Sequence, residues 1–190
     1  MKASVFVGTS LDGFIARPTG AFDFLPEEPE PHGFEEFMAT VDALVMGRNT
    51  FDVVAPFETW PYGDKPVIVL SHRELQATRS GAAVEAMSGE PAEIVQRLED
   101  RGLRHLYVDG GDTVQRFLRA GLISNITITR VPVLIGSGIS LFGSTNGDIK
   151  LRHIATRQFP SGLVQSEYAV DLENHVVAHA KPLTAPHENG

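Results

Sequence analysis

Three corners of the chain combine glycine, hydroxyl and basic residues as an anion site requires: Gly47-Arg48-Asn49-Thr50, Leu70-Ser71-His72 and Gly110-Gly111-Asp112-Thr113. Glycine costs backbone entropy and adds no packing, so a glycine pair at a strand-to-helix corner implies either a tight turn or a backbone that meets a ligand. A helix N-terminus offers unpaired N–H groups and the positive end of the dipole, which makes phosphate the natural guest. Arg48 points the same way, because a cation at a helix start opposes the dipole and is better explained by an external anion. Neither G-x-G-x-x-G nor a Walker A sequence occurs, so a nucleotide would be held by another arrangement.

Other chemistries find less support. The chain has no cysteine, which excludes disulfides, thiolate nucleophiles and Cys-type metal sites. His175 and His179 have i, i+4 spacing but no third ligand nearby, and no serine stands in a G-x-S-x-G setting. Sixteen Lys and Arg against 24 Asp and Glu give a net charge of −8, which repels nucleic acid and anionic membranes. The N-terminal apolar run ends at Thr9, too short for a signal peptide or a span, so the expectation is a cytoplasmic protein without membrane or nucleic-acid contact.

The elements that must position these corners follow from hydrophobic periodicity. Ala3 to Val7 reads as a strand before an Asp12-Gly13 turn, and residues 18–33, with four prolines, read as a surface loop. Phe34, Phe37 and Met38 share one face of a short helix. DALVMG and KPVIVLS are buried strands, and RNTFDVV between them is a helix with Asn49 or Thr50 available as N-cap. Pro91 opens a helix with an Ile94, Val95 and Leu98 stripe that Gly102 ends. Strand Leu106–Val108 leads through the glycine pair to a helix with a Val114, Phe117 and Leu118 face, capped by Asp112 or Thr113.

From Asn125 the pattern is all strand. The fold class is therefore α/β, a single mixed sheet, mostly parallel with antiparallel late strands, flanked by helices. Residues 1–172 form the one domain expected, and 173–190 a tail that is mobile or docked on a neighbour. In such sheets ligands sit at the carboxyl ends of the strands, where the three corners lie.

SLDGFIA, DALVMGRNTFDVV, KPVIVLS and LYVDGGDTVQRFLRAGLISNITITRVPVLIGSGISLFG, in this order, resemble the dihydrofolate-reductase-like superfamily. Within it the likeness is strongest to the C-terminal reductase domain of riboflavin biosynthesis and its stand-alone relatives. The resemblance implies an NADPH-dependent reductase transferring a hydride to a small pterin-, pyrimidine- or flavin-like ring, with a catalytically silent NADP(H)-binding module as the alternative. It places Val7 and Ile15 at the nicotinamide amide. Gly47, Arg48, Asn49 and Thr50 would meet the phosphates from one helix. Leu70, Ser71 and His72 would lie on the adenosine side, near a ribose 2′-phosphate.

Gly110, Gly111, Asp112, Thr113 and Val114 would hold the pyrophosphate, with a cis peptide implied between the two glycines and the Asp112 side chain turned to cap its helix. Asp12 is the candidate proton donor, and a homodimer the implied assembly. The resemblance weakens where a buried substrate-gripping carboxylate is expected on the first helix, since PEPHGFEEFM puts a proline-rich loop there.

Overall fold

The computed structural model describes residues 1–26, 30–73, 75 and 83–171. The 173–190 tail, with His175 and His179, lies outside the described residues, as do residues 27–29 of the proline-rich loop. In chain order the elements are β1 (Lys2–Ser10), β2 (Phe14–Ala16), α1 (Phe34–Thr40), β3 (Ala43–Gly47), α2 (Arg48–Val54), β4 (Val67–Leu70) and β5 (Val84–Met87). There follow α3 (Pro91–Asp100), β6 (His105–Asp109), α4 (Gly111–Arg119), β7 (Asn125–Val131), β8 (Ile139–Ser140), β9 (Leu151–Gln158) and β10 (Val164–Val170).

Eight strands form one sheet in the order β5-β4-β3-β6-β1-β7-β10-β9, and β2 pairs with β8 in a separate ribbon. The six from β5 to β7 are mutually parallel, while β10 runs antiparallel to both of its neighbours. The mixed α/β sheet expected from the residue pattern is thus the fold. All six parallel strands end on one edge, so the loops after β1, β3, β4, β6 and β7 converge there.

Both faces of the parallel half are covered. Ile94 and Leu98 of α3 and Val114, Phe117 and Leu118 of α4 pack on Val5, Val45, Ile68 and Val108. On the other face Phe51 and Val54 of α2, with Tyr62, pack on Leu44, Met46, Val69 and Tyr107, and the half-buried Phe34 and Phe37 of α1 lie against Phe6. Ile94, Leu98 and Phe117 are fully buried, each stabilising the fold by roughly 1.5–3 kcal/mol relative to exposure. In contrast β9, the edge strand, is exposed along its whole length.

The residue pattern missed β5. Its four residues VEAM are half-buried or exposed, and only their pairing with β4 makes them a strand. The helix starts also differ from expectation. Gly47, not Asn49 or Thr50, is the N-cap of α2, and Gly110, not Asp112 or Thr113, is that of α4. The cause is a tertiary contact between the two corners. A Cβ at Gly47 would lie 3.1 Å from the Thr113 hydroxyl oxygen, and one at Gly110 would collide with that of Thr50. Each threonine is therefore packed against the opposite glycine instead of capping its own helix.

The expected cis peptide is also corrected, since every peptide bond among the described residues is trans. The corner after β6 turns instead at Gly110, whose φ of +89° and ψ of +139° are open to glycine alone.

Candidate cofactor and substrate site

A crevice opens in the sheet where β1 parts from β6. These strands pair only over Lys2–Ser4 with His105–Tyr107, whereas β1 continues beside β7 as far as Ser10. Backbone polar groups alternate in direction along a strand, so the side each residue faces can be read from its partners. The Lys2 amide donates to the Arg104 carbonyl and the Phe6 carbonyl accepts from the Tyr107 hydroxyl at 2.8 Å, both on the β6 side. The Ala3 carbonyl accepts from Ser124, and the Leu11 amide donates to Val133, both on the β7 side. Even-numbered residues therefore face the crevice. Gly8, missed in the residue pattern, presents its amide and carbonyl there, and Val7 turns its own toward β7, a correction to its expected place.

The opposite wall is the corner after β6. The Gly110 carbonyl accepts the Val114 amide at 2.9 Å, so Val114 has no N–H to offer a ligand and its side chain is in the core. The amides of Gly111, Asp112 and Thr113 precede it, and among the described residues no side chain caps them. Asp112, expected to cap the helix, is exposed in the first turn without doing so. A Cβ at Gly111 would meet the Ser140 carbonyl at 2.7 Å and the Ile15 side chain at 3.4 Å, so Ile15 and the β2-β8 ribbon close this wall from outside.

The remaining predicted residues are placed as follows. Arg48 directs its Nε to the Asp52 carboxylate at 2.8 Å, one turn along α2, and Asn49 is exposed beside it. Leu70 ends β4 half-buried, and His72 is exposed. The Ser71 hydroxyl donates to the Arg73 carbonyl at 2.8 Å and accepts the Arg73 amide at 3.1 Å, a local turn that sets Arg73, a cation absent from the predicted set, at this strand end.

Asp12 occupies a different position from that of an open acid. Its carboxylate accepts the Ile135 and Gly136 amides at 3.3 and 2.8 Å, joining the turn after β1 to the loop after β7. A hydrogen bond from Ser10 and these amides hold its pKa below the usual carboxylate value. It is an ionised clamp, unsuited to giving up a proton.

The acid held above the usual carboxylate range is Asp109, the last residue of β6. Burial pushes its pKa up to about 6, and the hydrogen bond it accepts from the Gly110 amide at 2.8 Å only partly opposes this. No spacing rule could mark it, since its surroundings include Tyr62 and Tyr107 from separate parts of the chain.

On the other side of β1 lies a cleft of about 300 Å³. Its walls are mostly apolar: Phe6, Leu25, Pro26, Phe34, Val131 and Leu163. Gly8 lines it as well as facing the crevice, with the Leu25 side chain seated where a Cβ would stand.

A parallel sheet split beside its first strand, with open helix amides on one lip and an apolar cleft on the other, has the dihydrofolate-reductase-like fold. Residues 2–165 match the family described as the RibD C-terminal domain, and the chain belongs to that family. A solved structure described as a riboflavin biosynthesis protein of Shewanella sp. PV-4 is 39% identical, with a TM-score of 0.82 over 90% of this chain and 99% of that one. The Thermotoga maritima diaminohydroxyphosphoribosylaminopyrimidine deaminase/5-amino-6-(5-phosphoribosylamino)uracil reductase superposes at TM-score 0.72 and 14% identity, over 89% of this chain but only 56% of that longer one. Enterococcus faecalis dihydrofolate reductase complexed with NADP(H) superposes at 0.64 and 13% identity, covering 90% and 96%. Among the described residues no helix is long and apolar enough to cross a membrane.

Proposed function

We propose that the chain is an NADPH-dependent reductase of a small heterocyclic substrate, with the cofactor in the crevice between β1 and β6 and the substrate ring in the cleft beside it. The observation that carries this reading is the shared wall. Gly8 lines both spaces, so groups bound in them would meet across a residue without a side chain. Relatives named as reductases, one of them in complex with NADP(H), support it.

The residues present fit such a cofactor. Three uncapped amides of α4 suit a pyrophosphate. Asp112 opposes an anion, but its carboxylate is exposed and solvated. Ser71, His72 and Arg73 at the end of β4 would meet a ribose phosphate, which favours NADP(H) over NAD(H). When bound, NADPH supplies a hydride to an electrophilic C=N or C=O carbon. The chain's own contribution is to orient the two rings and exclude water. Asp109, its pKa pushed up to about 6 by burial, exchanges a proton in mildly acid solution, and Asp12 is suited to fix the loops around the nicotinamide end.

Titrating the protein with NADPH and NADH by cofactor fluorescence tests the first half, with tighter NADPH binding expected. NADPH oxidation across pterins, pyrimidines and flavins tests the second. Absence of binding at micromolar NADPH would end the proposal, and binding without oxidation across the panel would leave the silent module.

A further inference from the structure

At the start of β1 and β6, the edge of the sheet away from the crevice, Ser4 and His105 form a hydrogen bond across 101 residues of sequence. The Ser4 Oγ lies 2.8 Å from His105 Nε2, and His105 Nδ1 lies 2.9 Å from the Thr40 carbonyl at the end of α1. A carbonyl can only accept, so Nδ1 carries the ring hydrogen. In the neutral imidazole Nε2 is then a lone pair, and Ser4 must donate its proton to it. Burial holds the His105 pKa below the ordinary 6.5, which keeps the ring in this base form at neutral pH, and the Lys2 ammonium acts the same way. The Phe37 ring meets the imidazole at 5.9 Å and 87°, which fixes its plane.

The groups that serve a proton transfer from Ser4 are also present. Asp42 is held ionised by the Arg104 and His105 amides at 2.7 and 2.8 Å, and its charge favours an imidazolium at His105. Thr40 and Asp42 thus divide between them the orienting and charge-balancing tasks of the acid in a Ser-His-Asp triad. Asn125 of β7 is the register partner of Ser4, and its side-chain amide has no hydrogen-bond partner among the described residues. Neighbouring strands lie about 4.8 Å apart, so that amide is within reach of the carbonyl oxygen of an acyl group on Ser4. Ser4, His105, Thr40 and Asn125 all line one groove of about 600 Å³, with Phe37 as an apolar wall and Ser4, 2% exposed, at its floor. Lys2 and Arg157 balance Glu36 and Glu167 around the groove, which suits an uncharged substrate. Phe6 alone lines both this groove and the cleft beside Gly8.

We propose that Ser4 and His105 form a second catalytic site, a Ser–His dyad that hydrolyses small uncharged carboxylic esters. Ser4 Oγ bonds to the ester carbonyl carbon as its proton passes to His105 Nε2, and Asn125 donates to the carbonyl oxygen as that oxygen gains charge. The bond to the alkoxy oxygen then breaks, and the alcohol leaves with the proton from Nε2. Water adds to the acyl-Ser4 ester, giving its own proton to Nε2, and the carboxylic acid departs as Ser4 recovers its hydrogen.

Diisopropyl fluorophosphate, which bonds to such a serine with loss of fluoride, should label the folded full chain, and peptide mass mapping should place the label on Ser4. After subtraction of the buffer rate, turnover of 4-nitrophenyl acetate should be half-maximal below pH 6.5 and level above it, as a neutral His105 base requires. Ser4→Ala should abolish labelling and lower turnover by roughly a hundredfold or more. His105→Gln keeps an acceptor for Ser4 and a donor for Thr40 but supplies no base, so it should do the same. Asn125→Ala should lower turnover by roughly a hundredfold. No label on the folded wild type, a label mapped to another residue, or undiminished turnover in Ser4→Ala would overturn the assignment. The label is mapped on the wild type, so a variant that folds poorly leaves the test intact. None of these readouts involves NADPH, and their result stands apart from the reductase reading.

Discussion

Asp109→Asn tests the environment at the end of β6 through the pH dependence of stability. The folded pKa of about 6 stands against an ordinary value of 3.8. At ~1.4 kcal/mol per pKa unit that displacement amounts to about 3 kcal/mol, which partial exposure of the residue reduces to ~1–2 kcal/mol. A raised carboxylate pKa means that the folded state binds a proton more tightly than the unfolded chain does. Stability is therefore fully present below about pH 4 and is lost as pH rises through about 6. Asparagine carries no charge and keeps an oxygen for the Gly110 amide. The variant should match the wild type near pH 4 and exceed it by ~1–2 kcal/mol at pH 8, read from urea unfolding at both values. The same carboxylate opposes a bound phosphate, so wild-type NADPH affinity should fall as pH rises from 5.5 to 7.5 by more than it does in Asp109→Asn. A variant less stable than the wild type at pH 8, or one with an equal difference at both pH values, would refute the assignment of burial as the cause.

Gly110→Ala places a methyl group against Thr50 at a positive φ, so it should lose NADPH binding and ~1–3 kcal/mol of stability, with Thr50→Ala relieving the collision but not the strain. Asp12→Ala should free the loop after Val131, seen as faster hydrogen exchange at Ile135 and Gly136, while the acid limb of any turnover profile stays unmoved. Phe117→Ala should cost ~3–5 kcal/mol in denaturant unfolding, since the ring is fully buried under α4. If the implied homodimer forms through the exposed β9 edge, light scattering should give twice the 20.7 kDa chain mass, and Ile154→Lys should return it to monomer.

The parts of the fold set by local pattern were legible from the residues alone. The stripe of α3, its Pro91 start and the apolar face of α4 all follow from spacing, and the three corners lie at strand ends as expected. What spacing could not supply is information that depends on a neighbour distant in sequence. The helix caps moved because Thr50 and Thr113 each face the other corner's glycine. Gly8, rather than Val7, faces the crevice because the direction of a strand's polar groups is set by which partner lies on which side. Likewise, Asp109 acquires its raised pKa from burial at the end of β6, which no spacing along the chain can mark.

The central position of β1 has a consequence for the order in which the molecule can assemble. Its partners are His105–Tyr107 on one side and Asn125–Val131 on the other, so the first strand made is among the last to be enclosed. Closing loops of more than 100 residues is entropically expensive and slow, and during synthesis β3, β4, β5 and β6 can pair with one another before β1 finds its place. A nascent chain arrested before residue 125 would hold β1 with a grip of only three residue pairs, all on its β6 side. The crevice beside β1 would take shape only once β7 had emerged, a late product of folding.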